Sequence, residues 1–219
     1  MPTGCLSSLQ LLQLGDSALP IGSLAHSFGM ETMVAGGLLD TDNLEAFLRD
    51  HLQEAGLLEA HFCRAAFGIG AAFCPAAWED LNRRLSARKL ARESRAASLS
   101  LGARFLQLVR ALADRPTLER AQRSEAHYSA AFGLAAAVLE LREDDAVAAW
   151  LHQSVAGFVS ACQRLLPLGQ TQAARILWRL KPAVLETAEH SRGEAFVFSP
   201  LPDIAAMRHP RLGTRLFIS

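Results

Sequence analysis

The feature that most constrains this chain is a series of apolar stripes whose members recur every three or four residues. That spacing puts side chains on one face of an α-helix, where they can be buried together against a neighbouring element. Proline and glycine interrupt the stripes, as expected where one helix ends and the next begins. The clearest stripes are Leu44, Phe47, Leu48, Leu52, Ala55, Leu58 and Phe62; then Ala97, Leu101, Phe105, Leu108 and Leu112; and finally Ala173, Ile176, Leu177, Leu180 and Val184.

The breaks between the stripes predict where the helices begin and end. A short helix over 5–13 leads into a turn, and Ser23 is expected to cap a second helix over 24–35. A later helix is expected to begin at Ser124 or Glu125. Ala and Leu are abundant, and both enter helices at little cost in free energy. The sequence therefore predicts an all-α protein.

The last part of the chain has a different character. Prolines at positions 200, 202 and 210 forbid a long helix there. We therefore predict a single-domain helical bundle over 1–190, followed by a mostly irregular C-terminal arm over 191–219 with one helical turn near 203–207.

The charge balance argues against nucleic acid as the main partner. Lys and Arg number 22, and Asp and Glu also number 22, so the formal net charge is zero. Such a chain has no overall field that would attract a phosphate backbone. Neutrality also reduces self-repulsion, which permits association with other proteins.

The cysteines and the N-terminus indicate a cytoplasmic protein. None of the cysteines forms a CxxC pair, and buried reduced thiols are expected for all of them. The first residues lack the basic start of a signal peptide, and no weakly polar stretch is long enough to cross a membrane. The four cysteines are Cys5, Cys63, Cys74 and Cys162.

No recognisable catalytic or metal-binding motif is present. The seven histidines include no pair at the i, i+3 or i, i+4 spacing that would aim two rings at one metal ion. HExxH, a P-loop and Gly-x-Ser-x-Gly are also absent. We therefore expect no catalytic residue, no resident metal and no cofactor. A basic run over 83–95 is interpreted either as a solvated helix face or as a docking patch for an acidic protein.

Two segments fit a plain helical bundle poorly. Gly29 falls inside a predicted helix, where glycine costs about 1 kcal/mol relative to alanine. A glycine at this position indicates either a close helix crossing in the core or a partner that approaches the backbone closely. The end of the chain, 215–219, is apolar and must pack either on the parent domain or on a partner.

These unusual segments carry a resemblance to the urease accessory protein UreF family. Residues 12–14 and 18–22, followed by 26–31, resemble the N-terminal signature of that family, although Ser23 and Leu24 stand where a second Gly and a Phe are usual. His127, shortly before Phe132 and Gly133, is similar to its middle motif. Residues 164–170 resemble its late helix-to-turn motif, and 215–219 its C-terminus. Four matches in family order make the resemblance specific.

The resemblance implies an all-α homodimer without enzymatic activity. Members bind the accessory protein UreD (also called UreH) and recruit and modulate the GTPase UreG, and the assembly delivers nickel to apo-urease. By this resemblance the chain is a nickel-insertion chaperone subunit. Its C-terminal arm would order against UreD, with Leu216 and Phe217 as apolar anchors. The expected partner-binding residues are Pro20, Gly22, Ser27, Gly29, Glu31, His127, Arg164, Gly169, Gln170, Arg215, Leu216 and Phe217.

Two alternatives come from other functional classes. A small helical enzyme of the haem- or thiamine-degrading type would need a His or Cys near a carboxylate in a pocket, and His26 with Glu31, or His61 with Cys63, are the available candidates. A helical scaffold unrelated to urease is the other alternative. It would bind no urease accessory component.

Overall fold

The computed structural model describes residues 3–195 and 198–218, and all regular secondary structure among them is helical. A π-helical turn, Leu52–Gly56, joins α3 to α4, and short 3-10 helices cover Ser23–Ala25 and His209–Arg211. The α-helices are α1 Thr3–Leu14, α2 Met30–Ala35, α3 Leu44–His51, α4 Leu57–Ala71, α5 Pro75–Arg88, α6 Arg92–Leu112, α7 Pro116–Ala121, α8 Tyr128–Val138, α9 Glu143–Leu165, α10 Gln170–His190 and α11 Pro200–Arg208.

Helix α8 is the centre of the core. Every residue from Tyr128 to Ala136 is buried, and α4, α6 and α9 pack around the helix. Most of its residues are small, so the backbones of neighbouring helices approach it closely. A Cβ on Gly133 would lie 1.9 Å from the carbonyl oxygen of Cys63 in α4. Glycine is therefore required at this crossing.

Proline begins several of the helices, as its fixed φ and missing N–H allow in a first turn. Pro75, Pro116 and Pro200 each stand in the first turn of α5, α7 and α11 respectively. The stripe over 44–62 was correctly predicted as helical, although it is interrupted by the π turn. The all-α fold predicted from the sequence is confirmed.

Three local predictions differ from the structure. The second helix begins at Met30 and not at Leu24, because Gly29 adopts φ 92° and acts as its N-cap. The helix expected from Ser124 or Glu125 begins at Tyr128. The C-terminal arm contains the nine-residue helix α11 where a single turn was expected, because its prolines lie in the first turn and do not interrupt it.

The prediction that the cysteines are buried, reduced thiols is correct for two of the four. All four are free, and Cys63 and Cys162 are buried, but Cys5 and Cys74 are exposed. Within the described residues, no helix is both long enough and apolar enough to cross a membrane.

The basic run does not form one face, because it spans the end of α5 and the start of α6. Lys89 forms a partly buried ion pair with Glu59, and Arg88 donates to the carbonyl oxygen of Ala195. The run therefore contributes to internal structure as well as to the surface.

A substitution at the crossing of α4 and α8 tests how closely the two helices pack. Gly133→Ala should lower the free energy of unfolding by about 3 kcal/mol or more, because the added methyl group meets backbone that cannot move independently. Gly68→Ala in α4 is the control, since nothing lies within 4 Å of its Cβ. That variant should gain about 0.5–1 kcal/mol from helix propensity. Urea denaturation measures the free energy of unfolding of both variants. Equal stability of the two would contradict the packing of α4 against α8.

Candidate partner-binding site

Three segments that are far apart in the sequence meet at one end of the bundle. They are the turn and helix start over 20–31, the C-terminal end of α9 near Arg164, and the tail over 209–218. Each contains one of the family-like motifs. The structure therefore brings three of the four motifs into a single site.

A buried carboxylate, that of Glu31 in α2, holds the tail. His209 Nε2 lies 2.8 Å from Glu31 Oε2, and the backbone N–H of Leu216 donates to Oε1 at 2.6 Å. The N–H of Phe217 also donates to Oε2, at 3.3 Å. Burial alone would raise the pKa of Glu31, but these hydrogen bonds outweigh it and hold the pKa below its ordinary value. We call Glu31, His209 and the two N–H groups the tail clamp.

Arg164 connects the other two segments. Its Nη1 donates to the carbonyl oxygen of Leu24 at 2.8 Å, and its guanidinium lies 4.2 Å from the centre of the Phe217 ring. The backbone N–H of Ile218 donates to the carbonyl oxygen of Ala25 at 2.8 Å. The Phe217 ring is thus buried on the parent domain beneath a cation, a favourable arrangement for an aromatic face.

Two glycines allow the chain to adopt this arrangement. Gly29 has φ 92°, and a Cβ there would lie 2.9 Å from the carbonyl oxygen of Pro202 and 3.1 Å from the backbone nitrogen of Ala206 in α11. Gly22 has φ 84°, and its Cβ would lie 2.7 Å from Arg104 Nη1. The close approach predicted for Gly29 is thus made by the chain's own helix α11.

The remaining predicted residues of this end differ in exposure. Pro20 is exposed, whereas Ser27 is fully buried, and its hydroxyl has no hydrogen-bond partner among the described residues. Gly169 is the N-cap of α10, and the exposed Gln170 accepts a hydrogen bond from Gln163 at 3.1 Å. The tail residues Arg215 and Leu216 are exposed.

His127 lies apart from this site, inside the bundle. Its backbone N–H donates to Asn82 Oδ1 at 2.8 Å, and its ring nitrogens lie 3.0 Å from Ser98 Oγ and 2.8 Å from Ser86 Oγ. Burial lowers its pKa to about 4. The neutral ring therefore joins α5 and α6 to the start of α8.

The surroundings of both candidate pairs for an enzyme disfavour catalysis. Both oxygens of Glu31 accept hydrogen bonds from the tail, so this carboxylate is not available to His26 as an acid or base. Burial raises the pKa of the Cys63 thiol far above its ordinary value, which disfavours the thiolate needed for attack.

Sequence reasoning missed an apolar groove between α2 and α11, which we call the α2–α11 groove. Leu38, Leu201 and Ile204 line it and are each about half exposed, and Arg208 and Arg211 lie along it. Among the described residues neither arginine forms an ion pair. The spacing of Leu201, Ile204 and Met207 after Pro200 was the available signal for an amphipathic helix.

Substitution of the Glu31 carboxylate tests the tail clamp. Glu31→Gln should weaken the clamp by about 1–3 kcal/mol, because charge-assisted hydrogen bonds are lost from a buried site. Amide hydrogen exchange of residues 212–218 should then accelerate at least tenfold, while α8 stays protected. Glu186→Gln is the control, since Glu186 is exposed and has no hydrogen bond in the described chain.

The same clamp has a defined pH dependence. The pKa of Glu31 in the folded chain lies below its ordinary value of 4.5. The ionised carboxylate therefore stabilises the fold at pH values above 4.5, and this contribution is lost as the pH falls through the folded-state pKa. Tail protection should therefore persist from neutral pH to below 4.5 and then decrease. Unchanged exchange in Glu31→Gln would contradict the clamp.

Comparison with known proteins identifies the family of this chain. A family model of UreF matches residues 38–181. The urease accessory protein UreF of Paenarthrobacter aurescens is 32% identical over 226 residues, covering 96% of this chain and 97% of the relative. Those of Ectopseudomonas mendocina and Bacillus sp. (strain TB-90) are 34% and 30% identical, and the alignments cover 95% and 96% of this chain and 97% and 98% of the relatives. This chain belongs to the UreF family of urease accessory proteins.

Proposed function

We propose that this protein is a nickel-insertion chaperone subunit that binds UreD (UreH) and recruits and modulates the GTPase UreG during urease maturation. The observation that carries the proposal is the convergence of the N-terminal motif, Arg164 and the C-terminal tail at one end of the bundle. Family membership supports the urease context. In this role the chain works in the cytoplasm through protein contacts and hydrolyses neither urea nor GTP.

The surface proposed for UreD consists of the outer side of the tail and the α2–α11 groove. The clamp buries Phe217 and directs Leu216 and Ile218 outward, where they are 57% and 70% exposed. Leu201 and Ile204 extend this apolar surface along α11. Exposed apolar groups beside arginines are typical of interface anchors, so the partner surface should be apolar with an acidic rim.

The clamp also reduces the cost of binding. A tail that ordered only on the partner would lose conformational entropy at that step. Here the tail is already held by Glu31 and Arg164, so less ordering remains when UreD binds. Buried members of the predicted set, such as Ser27 and Gly29, would then act on partners by shaping this surface and not by direct contact.

We assign the homodimer contact to α1. Leu6, Leu9 and Leu12 are 62%, 59% and 71% exposed along a helix that carries no charged side chain. Such an apolar stripe favours burial against another surface. An isologous contact between two copies of α1 would cover both stripes at once. The helical body of the dimer would remain available to UreG.

The UreD surface is tested by co-purification with UreD and UreG. Leu216→Asp should weaken the UreD complex at least tenfold, because a charge would be buried in the interface. Deletion of 211–219 should abolish it while circular dichroism shows retained helix. Leu112→Asp is the matched control, since Leu112 is 55% exposed at the far end of α6. Full UreD binding by both tail variants would refute the proposed surface.

The dimer contact is tested separately by light scattering after gel filtration. Wild type should elute as a dimer and Leu9→Asp as a monomer, because two like charges would face each other across the α1 contact. Leu112→Asp should remain dimeric. A dimeric Leu9→Asp variant would exclude α1 as the interface.

A further inference from the structure

One face of α10 presents a row of apolar side chains to solvent. Ala174, Trp178, Pro182 and Leu185 follow one another at steps of three and four residues, which aligns them along the helix. All four are exposed, Trp178 by 70% and Leu185 by 63%. Tryptophan is on average strongly buried, so a row with an exposed tryptophan at its centre indicates an interaction site. We call these four residues the α10 row.

The ring of Trp178 is held in position by its own helix. Lys181 Nζ lies 3.7 Å from the centre of the ring, a distance at which the cation is attracted to the aromatic face. A side chain that is already held loses less conformational entropy when a partner covers it. Trp178 therefore has the properties of an interface anchor, since it is large, aromatic and positioned before binding.

Pro182 adds a polar group to the same row. It lies inside α10 and has no N–H, so the carbonyl oxygen of Trp178 lacks the donor that a helix normally supplies four residues later. That oxygen needs a donor from water or from a partner. The row therefore suits a protein partner better than a lipid surface, in which the oxygen would stay unsatisfied.

The charges next to Trp178 are basic. Arg175 stands three residues before it and Lys181 three residues after it, so the helix places one cation on either side of the ring. Neither cation forms an ion pair among the described residues, whereas Arg179 pairs with Glu45 of α3 at 2.6 Å. The segment 174–182 contains no acidic residue. A complementary partner surface is therefore acidic around an apolar recess.

The acids of α10 lie closer to its C-terminal end and do not neutralise these cations. Glu189 pairs with Arg192 at 3.0 Å. Glu186 is exposed at the edge of the row, two turns beyond Trp178. The basic character is thus confined to the part of the row that surrounds the tryptophan.

We propose that the α10 row is the docking surface for the GTPase UreG, which would face Arg175 and Lys181 with an acidic patch and receive Trp178 in an apolar recess. The inference rests on the proposed function, which needs a surface for UreG that stays open when UreD covers the tail and a second copy covers α1. The row meets this condition, because none of its residues belongs to the tail clamp, to the α2–α11 groove or to α1.

Biolayer interferometry of UreG binding to the complex of this chain with UreD tests the surface. Trp178→Ser should weaken UreG binding at least tenfold, because an aromatic anchor is lost. Leu112→Ser is the matched control, since Leu112 is 55% exposed on α6 and lies outside the row. It should bind UreG as wild type does. Circular dichroism and UreD binding should be unchanged in both variants.

A charge reversal tests the acidic character of the partner surface. Lys181→Glu should weaken UreG binding at least tenfold, because an acidic patch would then repel the row. Arg84→Glu is the matched control, since Arg84 is exposed on α5 and forms no ion pair in the described chain. Added salt should weaken the binding of wild type more than that of Lys181→Glu, because exposed charges are screened.

Hydroxyl-radical footprinting of wild type depends on no variant. Oxidation of Trp178 should fall when UreG binds, but not when UreD binds alone. Unchanged oxidation, or equal UreG binding by Trp178→Ser and wild type, would overturn the docking surface and leave UreG recruitment standing. Loss of UreD binding or of the dimer in Trp178→Ser would assign the row to that partner and also overturn it. A wild-type complex that binds no UreG would reject the recruitment and this surface together.

Discussion

The carboxylate of Glu31 connects the two ends of this chain. It lies in the first turn of α2 and accepts hydrogen bonds from the backbone of Leu216 and Phe217, 185 and 186 residues later. A carboxylate is costly to bury, and the surrounding donors offset that cost only when the tail is in place. This arrangement holds Phe217 buried on the parent domain and leaves Leu216 exposed.

The clamp is precise because the bundle beneath it is rigid. Helix α8 is buried all round, and Gly133 and Gly102 let neighbouring backbone approach to distances that no side chain would permit. His127 then ties the N-terminus of this helix to α5 and α6 through two serines and Asn82. A close-packed interior of this kind deforms little, so a motif at one end keeps its geometry. The surface around the clamp is therefore expected to have its geometry before a partner binds.

The sequence predicted the fold better than the site. Apolar spacing predicted the long helices, because burial of one face determines the period. It did not reveal that Glu31 pairs with His209, since no local rule connects residues 178 apart. The start of α2 was missed because a helix pattern continues through 24–29, whereas Gly29 has a positive φ and lies close to Pro202. The family-like motifs identified most residues of the clamp, but only the fold showed which are buried and which face outward.

Hydrogen exchange of the intact chain, measured with and without UreD, tests whether the clamped tail forms the partner-binding surface. Binding should protect the tail over 212–218 together with α11, while α10 exchanges as in the free chain. The tail of the free protein should already be partly protected, because Glu31 holds it. A tail that exchanges freely in both states, with UreD protecting another surface, would show that the clamped tail is not that surface.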